Sequence, residues 1–303
     1  MLKIKHLLGL KGVCKEDIIE ILDTADKFYD ILNSENPVSD SLKGKTVVNL
    51  FYENSTRTRI SFELAEKRLS ANPLNFSVSG SSVSKGESLK DTVQNIEAMK
   101  IDMIVVRHSA SGVPGFLTKF SNATIINAGD GFNEHPTQAL LDIMTIRQKL
   151  GRLEDVNVAI IGDILHSRVA RSNVWAMKTL GMNVILCGPE TLLPQHPELL
   201  GVKITTELND AIADADVVML LRLQLERQDS GLLPSVREYR RLYGLDYERL
   251  PLMKKDAIIM HPGPINRSVE IASELADCER SVILDQVTNG VATRMAVLSL
   301  LGK

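Results

Sequence analysis

The chain has 303 residues, a length that suits two domains of about 150 residues each better than one small core. Hydrophobic residues make up 44% of the sequence and charged residues 24%, as in ordinary globular proteins. The net charge of −3, without long runs of like charge, argues against a nucleic-acid-binding surface. Any strongly basic site must therefore be local.

The cysteines and the hydropathy of the chain limit the cellular compartments in which the protein is expected. Cys14, Cys187 and Cys278 are isolated and lack the spacing of metal sites, which favours a reducing compartment and free thiols. No apolar run approaches the roughly 18 residues of a membrane span, and the N-terminal residues make a poor signal peptide. The histidines are scattered, so a bound metal is not expected. We expect a soluble, cytoplasmic protein.

Short β-branched runs alternate with longer amphipathic stretches along the whole chain. We predict strands at 46–52, 74–78, 102–107, 124–127, 157–161, 183–186, 217–220 and 257–260. The spacing of apolar residues predicts helices at 57–70, 88–99, 135–150, 168–180 and 207–213, with a last helix at about 290–301. This alternation predicts an α/β protein with two doubly wound parallel-sheet domains and an active site in the cleft between them.

The strand–helix pattern restarts after the polar stretch 151–155, which places a domain boundary there. We expect a first domain at 1–148, completed by a C-terminal helix at 286–303, and a second domain at 149–285. Polar clusters follow the predicted strands, where ligands of open α/β sheets bind. The clusters are Glu53–Arg59, Arg107–His108, Asn127–Gln138, Gly162–Arg168, Arg222–Arg227 and His261–Arg267.

The first of these clusters contains Ser55, Thr56, Arg57, Thr58 and Arg59, directly after a buried strand. A Ser or Thr there caps the coming helix, whose first amides carry the positive end of the dipole. Hydroxyls, amides and guanidinium groups together make a phosphate cradle without a glycine-rich loop. The alternative is an ordinary helix cap with solvated arginines.

His135 and Gln138 lie three residues apart at the start of a predicted helix and share one face. The helix dipole disfavours the imidazolium form there, so a neutral His135 donates one hydrogen bond and polarises a carbonyl oxygen. The alternative is a structural histidine. The turn Pro262-Gly263-Pro264 after His261 fixes backbone carbonyls for an amide donor, and either X–Pro bond is compatible with a cis geometry.

Four basic residues have the chemistry of anion ligands, since cationic side chains pair with carboxylates and phosphates, arginine in two-pronged fashion. They are Lys85, Arg107, Arg168 and Arg222. For each of them taken alone, an ordinary surface charge is the favoured interpretation, but Arg107 and Arg222 end strongly apolar strands, which weakens it. The sequence lacks a dinucleotide-binding fingerprint, a Walker A loop, a nucleophile elbow and a zincin motif.

These motifs in this order closely resemble the carbamoyltransferase family, and within it the Bacillus-type aspartate carbamoyltransferase catalytic chains. The resemblance spans nearly the whole chain. The Ser-Met-Gly and His-Cys-Leu-Pro motifs of ornithine enzymes are replaced by Arg222-Leu223-Gln224 and by His261-Pro262-Gly263-Pro264. It implies transfer of a carbamoyl group from carbamoyl phosphate to L-aspartate, without cofactor or metal.

The resemblance also implies roles for individual residues. Ser55, Thr56, Arg57 and Thr58 would bind the phosphate, and Arg57 would also stabilise it as the leaving group. The carbamoyl oxygen would be contacted by Thr58, Arg107 and His135. The carbamoyl amine would be held by Gln138 and by the backbone around Pro262, Gly263 and Pro264. Aspartate binding falls to Arg168, Arg222 and Gln224, and to Lys85, which with Ser81 or Ser82 reaches the site of a neighbouring subunit in a homotrimer.

Two other interpretations stay open at this stage. One is a carbamoyltransferase that acts on another amine such as ornithine, and the other is a non-catalytic phosphate-ligand-binding homologue. The resemblance does not decide whether regulatory or other pathway subunits associate with the chain.

Overall fold

Two parallel β-sheets organise the computed structural model, which describes residues 2–77, 87–224 and 232–302. Each sheet belongs to one compact unit of the chain. The first unit comprises Met1–Met144 and Thr288–Lys303, and the second comprises Thr145–Val287. The predicted two-sheet α/β architecture is therefore confirmed.

The first unit contains a four-stranded sheet with the strand order β2-β1-β3-β4. Its strands are β1 (Thr46–Phe51), β2 (Asn72–Ser77), β3 (Met103–His108) and β4 (Thr124–Asp130), and its helices are α1 (Lys15–Leu32), α2 (Thr56–Arg68), α3 (Leu89–Ala98), α4 (Val113–Leu117) and the first part of α5 (Pro136–Leu150). Apolar side chains of β1, β3 and β4 are almost fully buried and share a core with Val93 and Leu117. Burial on both faces explains why these strands are continuous apolar runs.

The second unit contains a five-stranded sheet with the order β7-β6-β5-β8-β9. Its strands are β5 (Asn157–Ile161), β6 (Asn183–Cys187), β7 (Lys203–Thr205), β8 (Val217–Leu220) and β9 (Ile258–Met260), and its helices are α6 (Arg168–Thr179), α7 (Leu208–Ala213), α8 (Val236–Tyr243), α9 (Ser273–Ala276) and the first part of α10 (Ile283–Leu301). Tyr239 and Tyr243 of α8 join the core of this sheet. Adjacent strands are parallel, so their carboxyl ends lie along one edge.

The predicted bounds of β5 and β8 agree with the structure, whereas α1, α4, β7, α8 and α9 are absent from the prediction. The last helix begins at Ile283, so the predicted start near residue 290 is wrong. Gly290 lies inside this helix and packs against the Arg294 guanidinium, whose Nη1 donates to the Gly290 carbonyl at 2.8 Å. A Cβ at residue 290 would lie 2.6 Å from that nitrogen, so this glycine serves close packing and does not mark a helix end.

Glu66 is a buried carboxyl between α2 and the sheet of the first unit. Asn49 of β1 donates to its Oε2 at 2.8 Å. Burial raises the pKa of Glu66 to about 8, since the interior disfavours the carboxylate, while the Asn49 hydrogen bond opposes this shift. Glu66 is therefore protonated in the folded protein at neutral pH.

This protonation predicts a pH-dependent stability that Glu66→Gln should remove. The folded protein holds the proton up to about pH 8, whereas the unfolded chain releases it near 4.5, so stability falls as pH rises between these values. Glutamine keeps the Asn49 contact and cannot ionise. We expect the difference in free energy of unfolding between the variant and the wild type to shift in favour of the variant as pH rises across this range, by on the order of a few kcal/mol at pH 8. Urea unfolding at pH 5, 6.5 and 8 measures the difference, and a constant difference would contradict the assignment.

In the described ranges, no helix combines the length and the apolar character needed to cross a membrane. Among the same residues, no three His, Cys, Asp or Glu side chains are grouped so that they could hold a metal ion.

Candidate active site

The first turn of α2 lies directly after the carboxyl end of β1. Ser55 has an extended backbone at the N-cap, and α2 begins at Thr56. Among the described residues, the Ser55 side chain makes no capping hydrogen bond to the helix. The amides of the first turn have no partners within the helix and face outward with the positive end of its dipole. The hydroxyl and these amides together can hold an anion.

Two arginines approach this turn. Arg57 lies at the start of α2, and its side chain is exposed as a whole. Partial burial of its guanidinium lowers the pKa of Arg57. Because the pKa of arginine is ordinarily very high, the group stays charged. Arg107 projects from the end of β3 and is buried. Its Nη1 donates to Thr58 Oγ1 at 3.3 Å and to the Ala128 carbonyl at 3.5 Å. Arg107 therefore links the ends of three neighbouring strands.

Glu53 holds the other end of the Arg107 guanidinium. Its Oε1 accepts from Arg107 Nη2 at 2.6 Å, and both side chains are largely buried. A charge-assisted contact of this length fixes the guanidinium plane and offsets part of the cost of burying the cation. Glu53 was part of the predicted Glu53–Arg59 cluster but received no role from the sequence.

His135 lies at the end of a loop that buried carboxylates hold in place. Asp130 accepts from the Gly112 amide at 2.7 Å, from Asn127 Nδ2 at 2.7 Å and from the Glu134 amide at 3.1 Å. Glu134 in turn accepts from the amides of Leu10 at 2.6 Å and of residue 11 at 3.2 Å. His135 is 4% exposed, so its imidazole is positioned by a fixed backbone.

Gly131 makes the turn of this loop possible. Its φ of +47° lies in the left-handed region that favours glycine. A Cβ at residue 131 would lie 2.5 Å from Ser111 Oγ and 2.8 Å from the Ser109 carbonyl oxygen. The sequence Asp130-Gly131 therefore directs the chain from β4 towards His135.

Gln138 lies one turn into the helix that follows His135 and is 9% exposed. Its Nε2 donates to Asp142 Oδ1 at 2.9 Å, one turn further along α5. In the first unit, the predicted residues Ser55, Thr56, Arg57, Thr58, Arg107, His135 and Gln138 thus lie at the carboxyl ends of β1, β3 and β4.

In the second unit, Arg168 begins α6 at the carboxyl end of β5 and is 5% exposed. Ser167 caps this helix, accepting from the Ala170 amide at 3.1 Å. Asp163 accepts from His166 Nδ1 at 2.8 Å, which orders the turn that leads to Arg168. The predicted anion ligand therefore sits at a helix N-terminus on an ordered turn.

Arg222 and Gln224 follow β8, the neighbour of β5, and both are half-buried. Glu270 anchors this segment through hydrogen bonds. Its Oε1 accepts from the Leu223 amide at 2.9 Å and from Asn266 Nδ2 at 2.8 Å. Its Oε2 accepts from the Asn266 amide at 2.8 Å. Glu270 is 1% exposed, so one buried carboxylate joins the Arg222–Gln224 segment to the turn after β9.

That turn contains the predicted residues Pro262, Gly263 and Pro264. The Gly263–Pro264 bond is cis, one of the two bonds that the sequence left open. His261 Nδ1 accepts from the Gly263 amide at 2.8 Å, which ties the turn to the end of β9. In the second unit the carboxyl ends of β5, β8 and β9 thus carry Arg168, Arg222, Gln224 and the turn.

Not every predicted residue can be placed. Lys85, Ser81 and Ser82 lie outside the described residues. The sequence assigned no role to the supporting carboxylates Asp130, Asp142 and Glu270, although Asp130 lies within the predicted cluster Asn127–Gln138. Only Asp130 had a local signal, since an Asp-Gly pair marks a turn; the others lie within helix-like or irregular stretches.

Comparisons with known proteins match nearly the whole chain. The family model described as "Aspartate/ornithine carbamoyltransferase, carbamoyl-P binding domain" matches residues 5–148, and that described as "Asp/Orn binding domain" of the same family matches residues 154–301. A relative from Caldanaerobacter subterraneus, named aspartate carbamoyltransferase catalytic subunit, is 58% identical over 99% of this chain and 98% of its own. One of the same name from Acetivibrio thermocellus is 58% identical over 99% and 96%.

Solved structures agree with these matches. Aspartate transcarbamoylase from Trypanosoma cruzi, in complex with N-(phosphonacetyl)-L-aspartic acid, has a TM-score of 0.90 at 31% identity, covering 98% of this chain and 96% of its own. The catalytic subunit of the M. jannaschii enzyme has a TM-score of 0.86 at 37% identity, covering 98% of both chains. Other structures of the T. cruzi enzyme contain carbamoyl phosphate with aspartate, or carbamoyl aspartate with phosphate.

Proposed function

The chain belongs to the aspartate/ornithine carbamoyltransferase family, and we propose that it transfers the carbamoyl group of carbamoyl phosphate to the α-amino group of L-aspartate. The products are N-carbamoyl-L-aspartate and phosphate, an early step of pyrimidine synthesis. Relatives at 54–58% identity bear the aspartate carbamoyltransferase name, which supports aspartate as the acceptor.

We propose that the first unit binds carbamoyl phosphate. Ser55, Thr56, Arg57 and Thr58 receive the phosphate at the N-terminus of α2, where amides, hydroxyls and a guanidinium complement its charge. Arg107, His135 and Thr58 point donors at the carbamoyl oxygen, and Gln138 accepts from the carbamoyl amine. The observation that carries this proposal is the 3.3 Å contact of the buried Arg107 with Thr58, which joins the phosphate cradle to a buried donor.

In the second unit, Arg168 and Arg222 with Gln224 bind the two carboxylates of aspartate in this proposal. Both arginines can pair with a carboxylate through two parallel hydrogen bonds. The turn Pro262-Gly263-Pro264 offers carbonyl oxygens to the carbamoyl amine. Glu270 supports both groups of ligands through the Leu223 amide and Asn266.

The chemistry then needs no cofactor in this proposal. The aspartate amine attacks the carbamoyl carbon and the carbonyl oxygen gains negative charge, which the donors of Arg107, His135 and Thr58 stabilise. The C–O bond to phosphate breaks, the amine passes a proton to the departing phosphate, and Arg57 stabilises that phosphate. Holding both substrates in position supplies much of the rate acceleration.

Side-by-side assays with aspartate and ornithine test this function. Purified protein should release phosphate from carbamoyl phosphate only when aspartate is added, and N-carbamoyl-L-aspartate should accumulate in equal amount. Carbamoylation of ornithine alone would overturn the choice of acceptor. Absence of phosphate release with either amino acid would instead favour the non-catalytic interpretation.

We further propose a homotrimer in which Lys85 and Ser81 or Ser82 reach a neighbouring subunit's site. An exposed apolar face of α2 and the edge strand β2 supports this. Ile60 is 54% exposed, Leu64 37% and Leu74 49%, and Ile60 and Leu64 share one face of the helix. Exposed apolar side chains that lie together on one face are typical of contact surfaces. The chain runs directly from β2 into the segment with Ser81, Ser82 and Lys85.

Mixing two inactive variants tests the shared site. Lys85→Ala and Arg57→Ala chains should each lose most activity, because each removes one cation from every site. After dissociation and reassembly together, some sites contain neither substitution, so part of the activity should return. The control is each variant reassembled alone. No recovery in mixtures that sizing shows to be trimeric would contradict the shared site.

A cytoplasmic location and membership of the Bacillus-type subgroup stay predictions from the sequence. The resemblance to the Bacillus-type chains comes from the segment Glu226–Leu250, and residues 226–231 of this segment lie outside the described residues.

A further inference from the structure

The orientation of the Gln138 amide is set by Asp142. Gln138 Nε2 donates to Asp142 Oδ1 at 2.9 Å, and both side chains are buried in the first unit. A carboxylate only accepts hydrogen bonds, so the amide must turn its NH2 group towards Asp142. The carbonyl oxygen Oε1 then occupies the opposite end of the amide.

A buried cation, Arg294, interacts electrostatically with Asp142. Arg294 of α10 is 4% exposed and donates to Ser61 Oγ at 3.0 Å. Its guanidinium also lies over the Phe62 ring, 5.1 Å from the centroid. Burial lowers the pKa of Arg294 to about 10, the Asp142 charge opposes that shift, and the Arg107 charge adds to it. Arg294 therefore stays protonated at neutral pH and attracts the Asp142 carboxylate.

We infer that Asp142 is a positioning residue, which fixes the Gln138 amide with Oε1 towards the carbamoyl amine and so selects a carbamoyl group over an acyl group of the same shape. This inference rests on the proposed function. An acetyl group has the same carbonyl and nearly the same size but carries a methyl group where the carbamoyl group carries NH2. A hydrogen-bond acceptor facing this part of the substrate forms a hydrogen bond with the NH2 group but none with the methyl group.

Asp142→Asn should invert the amide without changing the volume of the core. The positive charge of Arg294 attracts the oxygen of the new amide, so the amide turns its NH2 group towards Gln138. The Gln138 amide must then rotate and present NH2 to the substrate. The NH2 group of Gln138 and the NH2 group of the carbamoyl substrate cannot form a hydrogen bond with each other. The methyl group of an acetyl ligand forms no hydrogen bond with either orientation of the Gln138 amide, so its binding should change little.

The test compares the KM for carbamoyl phosphate with the inhibition constant of acetyl phosphate, both measured in the aspartate assay. In Asp142→Asn we expect the KM to rise about 10- to 100-fold, the cost of an unmade buried hydrogen bond, while the inhibition constant of acetyl phosphate changes less than about threefold. The matched control is Asp130→Asn, the same chemical change in the same unit. Asp130 supports the His135 loop, and both ligands share the carbonyl that His135 would contact. Both constants should therefore move together in the control.

Equal shifts of both constants in Asp142→Asn would overturn the inference while leaving the proposed function intact. A wild-type protein that forms no N-carbamoyl-L-aspartate would overturn the proposed function instead. The Gln138–Asp142 hydrogen bond can also be tested with the Gln138 side-chain amide signal in NMR, assigned by its loss in Gln138→Ala. We expect its protons to exchange slowly with solvent in the wild type. Fast exchange would overturn the inference even if Asp142→Asn does not fold.

Discussion

Arg107→Ala should lower kcat/KM for carbamoyl transfer by about 10²- to 10³-fold, because it removes a fixed donor from the developing oxyanion. Arg107 is 9% exposed, and Glu53 at 2.6 Å and Thr58 at 3.3 Å hold its guanidinium in one orientation. A donor fixed before the reaction costs no reorganisation when charge develops. Steady-state kinetics with both substrates varied measure the loss.

Two further variants separate catalysis from charge and folding. Arg107→Lys keeps the positive charge but cannot contact Glu53 and Thr58 through one planar group, so we expect most of the loss to persist. Arg152→Ala removes an exposed arginine that pairs with Asp216 at 3.1 Å. Such surface pairs contribute little, so its kinetics should match the wild type. If folded Arg107→Ala behaved like Arg152→Ala, the proposed role of Arg107 would be wrong.

Glu270→Gln should raise the KM for aspartate by about 10- to 100-fold, because one buried donor is left facing another. Glu270 accepts through both oxygens: Oε1 from the Leu223 amide and Asn266 Nδ2, and Oε2 from the Asn266 amide. Glutamine has one oxygen, so either orientation sets an NH2 group against N–H groups. The displaced Leu223 backbone lies between Arg222 and Gln224, the proposed aspartate ligands.

A change of stability alone would not establish this role. We expect Glu270→Gln to melt at a lower temperature and, at temperatures where it is fully folded, still to show the raised KM. Glu274→Gln is the control, since Glu274 is exposed on α9 whereas Glu270 is buried. A Glu270→Gln enzyme with normal KM values below its melting transition would restrict Glu270 to a structural role.

Much of the fold could be predicted because its signals are local. β5 and β8 are short apolar runs between polar turns, and their predicted bounds agree with the structure. Strand β7 is three residues long and mostly exposed, so no apolar run marks it. The helix α1 was missed although Ile18, Ile21, Leu22 and Ala25 follow helical spacing and are buried.

The sequence by itself determined the α/β fold class and the polar residues that follow the strands, because strand–helix alternation and the motifs at strand ends are local patterns of a few residues. Only the tertiary structure decided which side chains hold those residues in place. Glu270 contacts Leu223 across 47 positions, and Arg294 contacts Ser61 across 233. Glu53 and Arg107 are 54 positions apart and meet because β1 and β3 are neighbours in a parallel sheet. Such contacts follow from strand order, which brings distant segments together and leaves no periodic trace along the chain.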